Sequence, residues 1–136
     1  MSLLSRKGLL AIAAVVDVAL IARERPLSAR ALAARHNLPP RHLEPVLQAL
    51  VHEGILKGIR GPRGGYELAR DRDRISIEDI LRAAGTAEES NDVAMPASRI
   101  LSDIVLPAVA EAERAFSTAL AKITVGDLTN GTPSES

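Results

Sequence analysis

At 136 residues and 46% hydrophobic content, the chain is one domain's worth of sequence, long enough for a modest core. It has no cysteine, which excludes disulfides and thiolate-held metal or iron–sulfur centres, and only Tyr66 and Phe116 are aromatic, so Leu, Ile, Val and Ala must fill the core. The zero net charge hides a division: residues 1–75 carry 13 Lys/Arg against 7 Asp/Glu (+6), and residues 76–136 carry 4 against 10 (−6). A basic N-terminal part is drawn to phosphate and an acidic C-terminal part is held away from it. Many globular proteins show such asymmetry, so its weight depends on what the basic half contains.

The first predicted helix spans residues 3–21. Its longest apolar stretch, residues 8–16, is too short for a bilayer, runs into Asp17, Arg23 and Glu24, and lacks a small-residue cleavage site. It reads as a buried helix of a cytoplasmic protein. A second helix, residues 28–35, opens after Pro26 and Leu27 with Ser28 as N-cap, and Ala29, Leu32 and Ala33 give it an apolar side. It stops near His36 and Asn37, which tolerate left-handed backbone. Proline fits a first helical turn, so Pro39 and Pro40 lead into a third helix, residues 40–53. Leu43, Val46, Leu47, Leu50 and Val51 recur there at amphipathic spacing, and Gly54 suits the C′ position. Pro45, so far into a helix, implies a bend or a shifted start.

Two strand-forming runs follow, residues 56–60 and 65–69, around a tip of Gly61, Pro62, Arg63 and Gly64. Helix, tight turn, helix and hairpin is the order of a winged helix-turn-helix. Arg60 and Arg63 put guanidinium groups on a compact protrusion suited to phosphates and narrow grooves; an ordinary hairpin with solubilising arginines is the bland alternative. Ser76 caps a fourth helix, Glu78 and Asp79 sit in its positive first turn, and Gly85 is expected to close it.

Residues 86–98 are polar and irregular. A final helical tract, residues 97–123, carries Leu101, Ile104, Val105, Ala112, Phe116, Leu120 and Ile123 along one side, with Ala108, Ala115 and Ala119 between them. A single small domain cannot easily cover so long a stripe, so a partner helix from a second subunit is expected; the alternative is a helix folded back on its own core. Pro107 should kink or break this tract. Residues 130–136 form a polar tail expected to be disordered.

Four segments, LSARALAARHNLPPRHLEPVLQALVHEGIL, the wing IRGPRGGYELAR, then ISIEDILRAAG and the late ITVGDL, carry a resemblance that runs from residue 3 to about 128. The chain resembles the Rrf-type winged helix-turn-helix transcriptional regulators, which include the iron–sulfur and nitric-oxide sensing repressors of bacteria. The resemblance implies a mainly α fold with a small two-stranded β wing and a long C-terminal dimerisation helix. The parts would be a DNA-binding domain (1–85), a sensor-type loop (86–98), a dimerisation region (97–128) and a tail (129–136). It implies a homodimeric repressor that binds double-stranded DNA at an inverted-repeat operator. It also departs from the family: many members hold an iron–sulfur cluster on three cysteines in the sensor loop, and this chain has none. No cofactor is therefore expected. Glu88, Glu89 and Asp92 suit a hard cation or simply a solvated acidic loop.

Recognition helices read bases with their N-terminal residues, which here are Arg41, His42 and Glu44, the positions at which the family reads bases. Arg can bond guanine bidentately and Glu can accept from cytosine; the lesser alternative is that the two side chains merely solvate an exposed helix face. Arg60 and Arg63 would enter the minor groove or its flanking phosphates, with Gly61, Gly64 and Gly65 giving the backbone room. Ser28, Arg6 and Lys7 are weaker phosphate contacts. Tyr66 would support the wing, with its hydroxyl near a phosphate. Nothing here resembles an enzyme, no membrane contact is implied, and the effector, small molecule or protein, is left open. The competing class is a protein-interaction module of the same fold that has lost operator binding.

Overall fold

The computed structural model describes residues 6–22, 25–86 and 99–130. Its first helix, α1 (Arg6–Ile21), buries Ala11, Ala14, Val15, Val18 and Ala19 at three-to-four residue spacing against α3, α4, α6 and the wing described below. Asp17 lies on this buried face, 7% exposed. Its carboxylate stands 2.7 Å from His36 Nε2 and 3.2 Å from Arg35 Nε, so a buried charge is met by the end of the next helix. No described helix is long and apolar enough to cross a membrane.

α2 (Ala29–Arg35) starts where expected: the Ser28 hydroxyl accepts from the Ala31 N–H at 3.1 Å. The turn after it closes on the carbonyl of Ala33, which accepts from both His36 and Leu38, with Asn37 at φ 55°. α3 (Pro40–His52) buries Leu43, Val46, Leu47 and Leu50 completely. Truncating any one to alanine should destabilise by about 2–5 kcal/mol. Pro45 neither breaks α3 nor shifts its start; it stands on the exposed side, where the carbonyl deprived of an N–H meets water. Gly54, at φ 77°, ends α3: its N–H bonds the Val51 carbonyl and that of Ile55 bonds Leu50, each at 3.0 Å.

Ile55 and Leu56 then anchor the hairpin in the core. β1 (Leu56–Ile59) pairs antiparallel with β2 (Gly65–Leu68), from Leu56 opposite Leu68 to Ile59 opposite Gly65. On its other edge β2 pairs with the segment before α2. Leu27 N–H donates to the Tyr66 carbonyl at 3.0 Å, and Tyr66 N–H to the Leu27 carbonyl at 2.9 Å.

α4 (Ile77–Thr86) follows a 3₁₀ turn, Arg72–Arg74. Ser76 and Asp79 cap it reciprocally: Ser76 Oγ accepts from the Asp79 N–H at 3.0 Å, and Asp79 Oδ2 from the Ser76 N–H at 3.1 Å. Gly85 was expected to close this helix. It lies one residue inside the helix, which continues to Thr86, the last residue described before residue 99.

The late tract is helical without a break from residue 99 to Ala121, but it is not α throughout. A π-helical turn, Leu101–Val105, leads into α5 (Leu106–Ala121), with Pro107 in its first turn. Proline offers no N–H for the usual i−4 bond and its ring crowds the preceding turn; the wider π turn takes it in without a break. A short helix that the sequence reading did not anticipate, α6 (Val125–Asn130), then folds back on α1 and the 3₁₀ turn. Thr124 and Asp127 cap it as Ser76 and Asp79 cap α4, with both bonds at 3.0 Å. The two caps lie side by side because Ile77 N–H donates to the Ile123 carbonyl and Val125 N–H to that of Ile75. Asn130, placed at the head of a disordered tail from sequence, is the last residue of α6, while residues 131–136, like 1–5, 23–24 and 87–98, lie outside the described residues.

Gly65 is a position where a single methyl group would strike the chain's own backbone. Its φ is 157°, and a Cβ there would lie 2.6 Å from the backbone C and O of Leu27. Gly65→Ala should lower stability in urea denaturation by about 1–3 kcal/mol or more. Gly58→Ala, with nothing within 4 Å of its Cβ, should change it by less than about 1 kcal/mol. Equal effects would show that the Leu27 contact is not what fixes Gly65.

Candidate nucleic-acid interface

α3 is anchored by its buried leucines and valine, so its opposite face is held outward. Arg41, His42, Glu44 and Pro45 are all exposed there. Gln48, also exposed, was not singled out from sequence. It lies one turn beyond Glu44 and two beyond Arg41, and that i, i+3/i+4, i+7 polar spacing is the signal that could have found it. Glutamine can bond adenine bidentately, as arginine can guanine.

At the wing tip Arg60, Gly61, Pro62 and Arg63 are exposed. Gly61, at φ 112°, has open space where a Cβ would stand, and its carbonyl accepts from the Gly64 N–H at 2.9 Å. Gly64 and Gly65 face the chain's own backbone: a Cβ on Gly64 would collide with the Ile59 carbonyl oxygen, and one on Gly65 with Leu27. Their missing side chains shape the hairpin before anything approaches it. Among the described residues Arg41, Arg60 and Arg63 take part in no ion pair, while Lys57, Arg70 and Arg82 are drawn toward Glu67, Asp79 and Glu78. Ser28 spends its hydroxyl on capping α2.

Tyr66, on the wing, lies within electrostatic reach of Glu44 on α3. Its ring packs partly buried against the core. Burial first, and the nearby Glu44 carboxylate second, push its hydroxyl above the ordinary value of 10.0. The site's second cleft-forming element is the N-terminal turn of α1. Together with Leu38 and the start of α3 it encloses a cleft of about 410 Å³ lined by Arg6, Lys7, Leu10, Arg41, His42 and Pro45.

The sequence profile of the Rrf2 family, described as an iron-dependent transcriptional regulator, matches residues 4–131. The chain belongs to the Rrf2 family of DNA-binding transcriptional regulators. A Synechocystis protein named as an HTH-type transcriptional regulator is 34% identical over 126 residues, 92% of this chain and 86% of that one. IscR of Xenorhabdus nematophila is 35% identical over 80 residues, 59% of this chain but only 49% of its own length. The structure of CymR, the global cysteine regulator of B. subtilis, superposes with a TM-score of 0.72 at 26% identity, covering 98% of this chain and 100% of CymR. The fold is thus the winged helix of Rrf2 regulators, and the family and these relatives are regulators, not enzymes.

The iron dependence in the family's description can be tested on the donors present. Clusters are held by thiolates, with histidine as an occasional substitute, and the chain has no cysteine. Of its three histidines, His36 is engaged by Asp17, while His42 and His52 stand ten positions apart on α3, about 15 Å along the helix. These residues do not fit an iron–sulfur cluster, and no step is assigned to one.

As the only tyrosine, Tyr66 can be titrated by its ultraviolet absorbance. The midpoint should lie above 10.0, and Glu44→Gln should lower it without bringing it below that value. Because the folded-state value is raised, the unfolded chain ionises first. This contribution to stability is therefore complete below about pH 10 and declines as the pH climbs beyond it. A folded-state midpoint at or below 10.0 would remove Tyr66 from the α3–wing seam.

Proposed function

We propose that this chain is a homodimeric, operator-specific repressor whose DNA binding does not depend on an iron–sulfur cluster. The observation that carries the reading is the outward face made by α3 and the wing tip, where Arg41, Arg60 and Arg63 are free of ion pairs and Gln48 continues the polar row. On this reading the start of α3 enters the major groove, with Arg41, His42, Glu44 and Gln48 meeting base edges. Arg60 and Arg63 take the adjacent minor groove or its phosphates, where narrow A·T-rich stretches hold arginine. Gly61, Gly64, Gly65 and Tyr66 keep the wing at its distance from α3, and Ser28 fixes the start of α2 behind it.

Dimerisation is supported by the bare face of α5. No residue of α5 is buried, and Ile104, Val105 and Val109 are 64%, 41% and 46% exposed. Phe116 and Leu120 are half-buried, and Ala112 and Ile123 are exposed. Leu101 belongs to the same row by sequence. A second copy of the helix would bury this row, and two-fold symmetry would set two α3 helices on half-sites of an inverted repeat. With no thiolate in the chain, the input that the cysteine-bearing loop supplies in other members must come from elsewhere.

The reading is tested with a duplex selected from a random pool. The complex should contain two chains per duplex by light scattering, and its affinity should fall steeply with salt as counterions are released. Arg41→Ala should weaken binding to the selected duplex by about 1–3 kcal/mol and spare random duplex. Arg63→Ala should weaken both alike. Failure to select any duplex would favour an interaction module that has kept the fold and lost operator binding.

A further inference from the structure

The cleft between the N-terminal turns of α1 and α3 has a feature that DNA contact does not require. Its rim is cationic, with Arg6, Lys7 and Arg41, and among the described residues that line it there is no carboxylate. The positive end of the α1 dipole adds to the same potential. Its floor is apolar, made by Leu10, Leu38 and Pro45, of which Leu10 and Leu38 are the partly covered edge of the hydrophobic core. A phosphodiester has no apolar body to lay on such a floor. A volume of about 410 Å³ falls within the 300–1,000 Å³ typical of small-molecule sites.

Another cleft is a weaker candidate. It lies between α4 and α5, holds about 620 Å³, and mixes Glu78 and Glu113 with Arg114. Glu78 is already paired with Arg82 at 2.7 Å, so no single ligand charge is selected.

We propose that the α1–α3 cleft binds a small organic anion with an apolar body, and that its occupancy competes with DNA for Arg41. The competition rests on the reading of α3 as the DNA-reading helix; the binding itself does not. The ligand's carboxylate or equivalent anion meets Arg6 and Arg41 at the rim, and its hydrocarbon covers Leu10 and Leu38, which otherwise face water. With Arg41 turned to the ligand, a base-reading guanidinium is withdrawn and a negative charge is placed at the start of α3. Such a ligand would lower operator affinity, giving a cysteine-free member of the family a chemical input.

The test uses the full chain, isotopically labelled, and 2-naphthoate as probe. Saturable shifts are expected in the backbone amide resonances of Leu10, Leu38, Arg41 and His42. Binding should be roughly tenfold or more weaker for the neutral 2-naphthylmethanol, and likewise for inorganic phosphate, since each lacks half of the recognition. Arg6→Gln should weaken naphthoate roughly tenfold and Arg6→Lys much less. In a second titration, naphthoate should raise the apparent Kd for a selected duplex in proportion to its concentration. Absence of saturable shifts, an equal response to the neutral analogue, phosphate binding as tight as naphthoate, or indifference to Arg6→Gln would overturn the site. Naphthoate binding that leaves duplex affinity unchanged would overturn the competition. If no duplex is bound but naphthoate still saturates these amides, the DNA reading fails and the cleft stands.

Discussion

Two backbone hydrogen bonds between Leu27 and Tyr66 hold in place the surface proposed to read DNA. They join residues 39 positions apart, and through them the wing is held to the segment that starts α2 and not left as a free hairpin. A two-stranded hairpin alone is marginal in water, and the extra pairing gives β2 a partner on both edges. Gly65 is the requirement this imposes, because any side chain there would strike the Leu27 backbone. Tyr66 completes the seam by packing its ring against the core near Glu44. The spacing between Arg63 at the tip and Arg41 on α3 is thereby set by the fold itself, before any DNA arrives.

The far end of the chain is organised by a similar economy. The Ser76–Asp79 and Thr124–Asp127 caps lie against each other, so the starts of α4 and α6 are fixed together, each cap contributing about 1 kcal/mol. Gly126 lets the Asp73 carboxylate lie against it, where a Cβ would push that exposed side chain aside. Because α6 returns to α1, the C-terminal end of α5 is fastened to the body, while Ile104, Val105 and Val109 toward its start stay uncovered. An anchored end beside a bare apolar row is the arrangement that the proposed second subunit would complete. The π turn before Pro107 keeps the tract helical along that row.

Much of this was legible in the sequence where the signal is local. The i, i+3, i+4 pattern of α3, the Pro39–Pro40 start and the Gly54 stop each have a backbone reason, and all three hold. The wing followed from its glycines and proline. What was not legible depended on distant partners or on shortness. α6 has six residues and a glycine in its first turn, so propensity argues against it, although its Thr124 to Asp127 spacing repeats that of Ser76 to Asp79. The Leu27–Tyr66 pairing has no local signature. Gly85 read as a stop because glycine often is one, whereas α4 runs one residue past it to Thr86. Of the candidate interface, the arginines and glycines were visible as residue types; that Gly64 and Gly65 serve the protein's own backbone, and that Gln48 shares the face of Arg41, required the packing of α3.

Hydrogen exchange followed by mass spectrometry, with and without a duplex selected from a random pool, tests most directly whether α3 and the wing act as one reading surface. The account predicts slowed exchange at both residues 41–48 and residues 59–66, gained together at the same DNA concentration, with α6 unchanged. Protection centred on α4 and α5, with α3 and the wing exchanging as in the free protein, would contradict it.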